Sequence, residues 1–301
     1  MTDASAIQNI HANGLDFAYL QAGDPAAPLV LCMHGFPDTA WSFVPVLSRL
    51  SQAGFYAVAP FMRGYAPSGL APDGDYSMLA LGRDVLALIE HFDREQAFVV
   101  GHDWGALATY VAASLRPDRI SRIVTAAVPH MRRFLLRPSK AQLKRSHYIY
   151  KFQTPAWPER TLPKDDFAWI ENLIRDWSPG WAFSAADLAP LKSGFAEPAR
   201  LRAALAYYRA LPRLATPGIW GAAMKPVPVP ARIIYGTNDG CIGPEMFDRQ
   251  EKHFPNGLDL CCFDGAGHFM QCERPDAFAD AVIAHLRPST GESDGDQVSV
   301  A

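Results

Sequence analysis

The hydrophobic pattern of the chain alternates between two kinds of segment. Short, nearly continuous apolar runs are typical of strands buried on both faces of a parallel sheet. Longer segments with apolar residues every three or four positions are typical of helices packed on such a sheet. The pattern predicts strands at 28–33, 55–60, 97–101, 120–128, 231–236 and 257–263, and helices at 39–52, 78–92, 106–116, 244–253 and 275–286. This alternation predicts an α/β fold with a mostly parallel central sheet wrapped by helices.

Two stretches depart from the alternation and define the organisation of the chain. Near the N-terminus, segments 7–10 and 15–21 flank Asn13-Gly14, a strong hairpin signal. Later, a long stretch is rich in aromatic residues and proline, with helical patches such as 200–211 and no clear strand. We therefore predict an α/β core of residues 1–129 and 224–287, an inserted helical cap of residues 130–223, and a disordered tail of residues 288–301.

Composition narrows the class of protein. The 301 residues are 49% hydrophobic and 20% charged, enough for one large domain with an ample core. The net charge of -3 does not suggest a nucleic-acid or anionic-membrane partner. No apolar run is long enough to span a bilayer, and we expect no signal peptide. The five cysteines form no Cys-x-x-Cys pair, so we expect reduced thiols in a cytoplasmic protein, without a metal site.

The candidate chemistry centres on residues 98–106, Phe-Val-Val-Gly-His-Asp-Trp-Gly-Ala. A strand, a sharp Gly-x-Asp-x-Gly turn and a helix form the context of a nucleophile elbow. The usual central residue is serine, but here it is Asp103, and a carboxylate is already nucleophilic at neutral pH. The elbow therefore predicts alkylation of Asp103 and hydrolysis of the resulting ester. The alternative is an ordinary turn in which Asp103 only caps the helix.

Two further polar residues follow the carboxyl ends of later predicted strands. Asp239 follows the strand at 231–236, and His268 follows the strand at 257–263. The order of nucleophile, acid and histidine is the order expected for this kind of sheet. We predict that His268 activates water and that Asp239 orients and stabilises its ring. Asn238 is the neighbouring candidate for the acid, although only a carboxylate stabilises a protonated imidazole.

Attack of water on an ester creates an oxyanion, which needs preorganised N–H donors. The residue after the nucleophile, Trp104, is predicted to supply one through its backbone. The loop His34-Gly35-Phe36-Pro37, after an earlier strand, is predicted to supply the other through Phe36. The same loop is also typical of a tight turn with a cis Phe36–Pro37 bond.

Over nearly its whole length the chain resembles the α/β-hydrolase superfamily. Within it, the chain is similar to the epoxide hydrolases and the related haloalkane dehalogenases. The motifs that carry the resemblance are His34-Gly35-Phe36-Pro37, Arg63-Gly64-Tyr65, Gly101-His102-Asp103-Trp104-Gly105 and Gly267-His268-Phe269. They imply an aspartate nucleophile but do not separate the two chemistries, because both families use His-Asp-Trp-Gly.

Predicted cap tyrosines separate the two chemistries. The resembling epoxide hydrolases place two of them over the nucleophile, where they donate a proton to the opening ring. Segments 147–153 and 207–211 look like the family's tyrosine-bearing segments. The family-like Phe152-Gln153 selects Tyr148, and the family-like Arg209 selects Tyr208, as catalytic and substrate-binding residues. Phe36 and Trp104 are also predicted at the substrate site. Tyr150 and Tyr207 remain alternatives, because tyrosine also packs inside amphipathic helices.

The resemblance implies an epoxide hydrolase that converts a small apolar epoxide into a vicinal diol without a cofactor. Haloalkane or haloacid dehalogenation on the same aspartate is the first alternative. Dehalogenases more often carry Trp or Asn where this chain has Phe36, which counts against that alternative. An esterase or lactonase and a non-catalytic binding protein are further alternatives. We expect a monomer or a homodimer.

Overall fold

The computed structural model, which describes residues 6–287, contains an eight-stranded sheet. The strands are β1 (Gln8–Ala12), β2 (Leu15–Ala22), β3 (Leu29–Met33), β4 (Tyr56–Pro60), β5 (Ala97–His102), β6 (Ile120–Ala126), β7 (Ala231–Gly236) and β8 (Leu258–Phe263). They lie in the order β1-β2-β4-β3-β5-β6-β7-β8. Among these eight strands, β2 is antiparallel to the other seven, which all run in the same direction. The predicted hairpin and the mostly parallel sheet are both confirmed.

Helices cover both faces of the sheet. They are α1 (Val44–Gln52), α2 (Met78–His91), α3 (Trp104–Leu115), α4 (Met131–Leu136), α5 (Lys140–Arg145), α6 (His147–Gln153), α7 (Trp157–Thr161), α8 (Ala168–Trp177), α9 (Ala185–Phe195), α10 (Pro198–Arg209), α11 (Pro217–Met224), α12 (Met270–Glu273) and α13 (Pro275–Leu286). Helices α2 and α3 pack together on one face, and α1 packs with α13 on the other. Along β3, Leu31 belongs to the first buried cluster and Cys32 to the second, as strand alternation requires.

The chain between β6 and β7 contains helices α4–α11 and, within the described residues, no strand. These helices hold most of the segment predicted as a cap. The predicted tail at 288–301 lies outside the described residues. No helix among residues 6–287 has the length and apolar character needed to cross a bilayer. The Phe36–Pro37 peptide bond is cis, as the loop pattern predicts.

One predicted helix, over residues 244–253, is wrong. Two short 3₁₀ helices, Pro244–Met246 and Glu251–His253, occupy its ends. Between them Arg249 has a φ of 55°, which no right-handed helix contains. The Gln250 side chain accepts a 2.9 Å hydrogen bond from the backbone of His130. This contact with the start of α4 holds the segment in place, so a tertiary contact outweighs the local helical pattern.

Candidate active site

Asp103 forms the turn between β5 and α3 by itself. Strand β5 ends at His102, and α3 begins at Trp104, two residues earlier than the sequence pattern predicts. Asp103 has a φ of 52° and a ψ of -117°, a conformation that residues with a side chain rarely adopt. Although it occupies the N-cap position, its side chain makes no capping hydrogen bond. The alternative of a simple helix cap is therefore wrong.

Two glycines allow this turn to sit against the loop after β3. A Cβ atom on Gly35 would collide with the side chain of Asp103. A Cβ atom on Gly105 would collide with the backbone of Met33. Gly35 of the loop and Gly105 of the Gly-x-Asp-x-Gly turn therefore meet a steric requirement, since the elbow and the loop approach closer than any larger residue permits.

The carboxylate of Asp103 is buried and held at one oxygen. Its Oδ1 accepts a 2.7 Å hydrogen bond from the backbone N–H of Phe36, one of the two predicted oxyanion donors. Its Oδ2 lies 3.6 Å from Nε2 of His268. Burial alone would raise the pKa of Asp103, but the neighbouring His268 and the Phe36 N–H hold it below its ordinary value. Asp103 is therefore ionised at neutral pH, as a carboxylate nucleophile must be.

Asp239 fixes the orientation of the His268 ring. Its Oδ2 lies 3.0 Å from Nδ1 of His268, and both side chains are buried. Its Oδ1 accepts hydrogen bonds from the backbone N–H groups of Cys241 (2.7 Å) and Ile242 (2.9 Å). The partner of Nδ1 of His268 among the described residues is therefore Asp239 and not Asn238.

The two carboxylates around His268 control its protonation. Burial would lower the pKa of His268, but the charges of Asp239 and Asp103 raise it to about 10. The ring is therefore an imidazolium at neutral pH while Asp103 is ionised. Its Nε2 has no hydrogen-bond partner within the described residues, so this atom remains available for chemistry.

Tyr148 and Tyr208 line the same cavity as Asp103, which has a volume of about 50 Å³. The Oη of Tyr148 lies 3.6 Å from Sγ of Cys241, a long hydrogen-bond contact. The Oη of Tyr208 is buried and has no partner among the described residues. Burial raises the pKa of both phenols well above the ordinary value, so each carries its proton at neutral pH.

The two alternative tyrosines lie elsewhere. Tyr150 is 67% exposed on the outer side of α6. Tyr207 is buried, but its hydroxyl donates a 2.7 Å hydrogen bond to the backbone carbonyl of Arg63. Neither residue lines the cavity around Asp103.

The residues beside the cavity tyrosines join α6 to α10. The Gln153 side chain donates a 2.7 Å hydrogen bond to the carbonyl of Tyr208. In return, the Arg209 guanidinium donates a 3.1 Å hydrogen bond to the carbonyl of Phe152. The flanking residues that distinguish Tyr148 and Tyr208 in the sequence therefore hold the two helices together.

The remaining cavity walls are mostly apolar. They are formed by Met78, Trp104, Leu107, Val128, Met131, Phe134, Ile149, Leu211, Cys241 and Ile242. The arrangement favours a small apolar ligand.

Two residues of the site had no role assigned from the sequence. The carbonyl of Trp177 accepts a 2.9 Å hydrogen bond from the backbone N–H of His268. Its ring centroid lies 5.0 Å from the His268 ring and 4.9 Å from the Tyr148 ring. His102 contacts the carbonyl of His268 through Nε2 at 3.0 Å, and burial lowers its pKa to about 3. Both residues hold the histidine loop, which a linear motif does not reveal.

Asp239, Cys241 and His268 also offer carboxylate, thiol and imidazole atoms within 4.8 Å of one another. Metal ions bind the thiolate form of cysteine. Burial raises the pKa of the Cys241 thiol well above its ordinary value, and Asp239 already accepts three hydrogen bonds. The described residues therefore suit an acid–histidine pair better than a metal site.

The chain is similar in sequence and in structure to known proteins of the α/β-hydrolase fold. Residues 28–275 match the family model of the alpha/beta hydrolase fold. The chain is 30% identical to the AB hydrolase superfamily protein YfhM of Bacillus subtilis, over 95% of this chain and 99% of that one. It is also 30% identical to epoxide hydrolase A of Mycobacterium tuberculosis, over 92% of this chain and 96% of that one. The crystal structure of epoxide hydrolase A from Mycobacterium thermoresistibile superposes with a TM-score of 0.80 at 26% identity, covering 94% and 98% of the two chains.

Proposed function

Because the chain belongs to the α/β-hydrolase fold family, and within it to the epoxide hydrolases, we propose that it opens an epoxide to a vicinal diol through an alkyl ester on Asp103. The observation that carries this mechanism is the shared cavity. An ionised carboxylate and two protonated phenols face one apolar space. Opening an epoxide requires such a pair of groups, a nucleophile for carbon and an acid for oxygen.

In the first step, Oδ2 of Asp103 attacks a ring carbon and the carbon–oxygen bond of the epoxide breaks. We assign the attack to Oδ2 because Oδ1 is held by the Phe36 N–H. The developing alkoxide takes a proton from Tyr208, whose hydroxyl has no other partner within the described residues, while Tyr148 donates a second hydrogen bond. The resulting phenolate is reprotonated from the imidazolium of His268.

Ester formation turns His268 into a base. Alkylation removes the charge of Asp103, one of the two charges that raise the pKa of His268. The neutral ring then accepts a proton from water, and the hydroxide adds to the ester carbonyl. The backbone N–H groups of Phe36 and Trp104 stabilise the oxyanion. Collapse releases the diol as the new carboxyl proton passes to the departing alkoxide, which restores Asp103 and imidazolium.

The test is a single-turnover reaction of the His268→Gln variant with styrene oxide and, separately, with a 1-haloalkane. Intact mass and peptide mapping follow the protein, and halide release is measured in parallel. An adduct on Asp103 from styrene oxide alone is the expected result. An adduct only from the haloalkane, with halide release, would assign dehalogenation instead. No adduct from either compound would contradict a two-step route through Asp103.

The apolar walls support a small apolar epoxide as the substrate. The five cysteines are unpaired, which supports a reducing compartment, and we propose the cytoplasm. A monomer or homodimer stays a prediction, and sedimentation velocity measures it directly.

A further inference from the structure

The net charge of -3 conceals a strongly basic segment in helices α4–α6. Residues 131–151 contain no Asp or Glu and carry seven basic residues: Arg132, Arg133, Arg137, Lys140, Lys144, Arg145 and Lys151. We call this segment the basic face. Its positive charge is local, so the average charge of the chain says nothing about what it attracts.

Most of this charge is not neutralised by neighbouring acids. Arg145 pairs with Glu245 at 2.9 Å, and Arg133 pairs with Asp248 at 2.8 Å. The remaining basic residues make no salt bridge within residues 6–287, and all of them are exposed: Arg132, Arg137, Lys140, Lys144 and Lys151. Among these, Arg132 donates a hydrogen bond to a backbone carbonyl, which leaves its charge unpaired. The basic face therefore presents positive charge to solvent that no described acid neutralises.

Exposed apolar side chains lie among these charges. Leu136 is 60% exposed, Leu143 is 49% exposed and Tyr150 is 67% exposed. On α5, Leu143 follows Lys140 by three positions and precedes Lys144, so the three side chains share one face of the helix. Basic residues mixed with exposed leucine and tyrosine are typical of surfaces that sit at a lipid–water interface.

The basic face also borders an apolar groove of about 300 Å³. The groove is lined by residues that include Leu135, Leu143 and Tyr150. Phe134, Ile149 and Leu211 line both this groove and the cavity that contains Asp103. The groove and the cavity are therefore neighbouring spaces that share part of their walls.

We propose that the basic face docks on the surface of an anionic lipid bilayer, with the groove directed at the membrane. Each Lys or Arg near such a surface contributes attraction that decays within a Debye length. The exposed leucines supply the apolar contact that a purely electrostatic site lacks. An apolar epoxide dissolved in the bilayer then reaches the groove without crossing water.

A second copy of the chain fits this surface less well. A two-fold interface places the same patch of both subunits face to face. Such an interface here would oppose the five exposed, unpaired basic residues of the two chains and cost free energy through like-charge repulsion. Anionic headgroups complement the charge instead, which is why we assign the face to lipid.

Vesicle co-sedimentation of the full chain tests the proposal without any turnover. We expect binding to vesicles of phosphatidylcholine with phosphatidylglycerol, and none to phosphatidylcholine alone. Raising the salt concentration should weaken the binding, because the attraction is screened. The Lys140→Glu/Lys144→Glu variant should lose at least about tenfold in partition coefficient. Its hydrolysis of dissolved styrene oxide should match the wild type, so failure of docking and failure of the proposed function are distinguishable.

The matched control is Arg116→Glu/Arg287→Glu, with the same change in net charge. Both arginines are exposed and follow the C-terminal ends of α3 and α13. This control should retain vesicle binding, whereas Leu136→Ser should weaken it through loss of apolar contact. Equal binding of the two double variants would overturn the proposal. So would the absence of binding, equal binding to neutral vesicles, or a dimer that the Lys140→Glu/Lys144→Glu change dissociates.

Discussion

The Nε2 atom of His268 lies 3.6 Å from Oδ2 of Asp103, close enough for their charges to interact but too far for a hydrogen bond. The proton on this ring therefore depends on whether Asp103 is a carboxylate or an ester. In the free protein the pKa of His268 is raised to about 10, so the ring carries a proton that it donates in the proposed mechanism. In the same proposal, alkylation of Asp103 removes one of the two charges that raise this pKa, and the ring then accepts a proton from water. The charge of Asp103 would thus decide whether His268 acts as an acid or as a base.

The Asp103→Asn variant should lose turnover and lower the pKa of His268. An amide is a poor nucleophile, and we expect a fall in kcat of about 10⁴-fold or more. The pKa falls because one of the two carboxylate charges is gone. NMR titration of the imidazole measures the shift, and peptide mapping excludes deamidation back to aspartate. An unchanged His268 pKa in this variant would contradict the proposed switch from acid to base.

Phe substitutions at Tyr208 and Tyr207 should affect different properties of the protein, the rate of alkylation in the first case and the stability in the second. Tyr208→Phe removes a proton donor, and we expect alkylation of Asp103 to slow by about 10²-fold. Its folded-state stability should not fall, because the lost hydroxyl has no partner within the described residues. Tyr207→Phe breaks the hydrogen bond to the Arg63 carbonyl and should cost about 1 kcal/mol. Stopped-flow single turnover and denaturant unfolding measure the two effects, and the same pattern in both variants would refute the assignment.

Ala substitutions at two glycines should separate the steric need of the elbow from a general glycine effect. Gly35→Ala places a methyl group against Asp103, and we expect a loss of about 1–3 kcal/mol together with impaired alkylation. Gly221→Ala lies inside α11, where a Cβ atom meets nothing within 4 Å. There we expect a gain of about 0.5–1 kcal/mol from helix propensity. Thermal unfolding compares the two variants, and a harmless Gly35→Ala would contradict the close packing.

The raised pKa of His268 predicts how stability changes at alkaline pH. The folded-state pKa of about 10 lies above the ordinary 6.5 of an unfolded histidine. A folded state that binds its proton more tightly gains stability, which is fully present below pH 6.5 and is lost as the pH rises through 10. The free energy of unfolding of the wild type should therefore fall over this range relative to His268→Gln. Denaturant titrations at several pH values measure the difference, and parallel curves would argue against a raised pKa.

The fold and the positions of the reacting groups follow largely from local sequence patterns. Buried strands produce continuous apolar runs, and the elbow needs glycine on both sides of Asp103 for steric reasons that a motif records. The tyrosines are selected by Gln153 and Arg209, whose hydrogen bonds join α6 to α10. In each case the sequence signal corresponds to a contact or a close approach in the structure.

Other features depend on contacts between distant parts of the chain. The helix predicted at 244–253 has a helical pattern, but the hydrogen bond between Gln250 and His130 competes with it. Trp177 supports His268 partly through a backbone carbonyl, which any residue supplies, so this hydrogen bond leaves no signal in the sequence. The pKa of His268 likewise depends on two carboxylates 165 and 29 positions earlier in the chain. Such effects appear only when the fold brings the residues together.

The paired hydrogen bonds between α6 and α10 also bear on how the enzyme can evolve. Because Gln153 and Arg209 each hold the other helix's backbone, Tyr148 and Tyr208 form one structural unit. A mutation that breaks either hydrogen bond should therefore disturb both phenols. Phe134, on α4, lines both the groove and the cavity and takes no part in these two hydrogen bonds. New substrate ranges should therefore arise by changes at Phe134 and its neighbours, while the acid pair stays constant across diverging lineages.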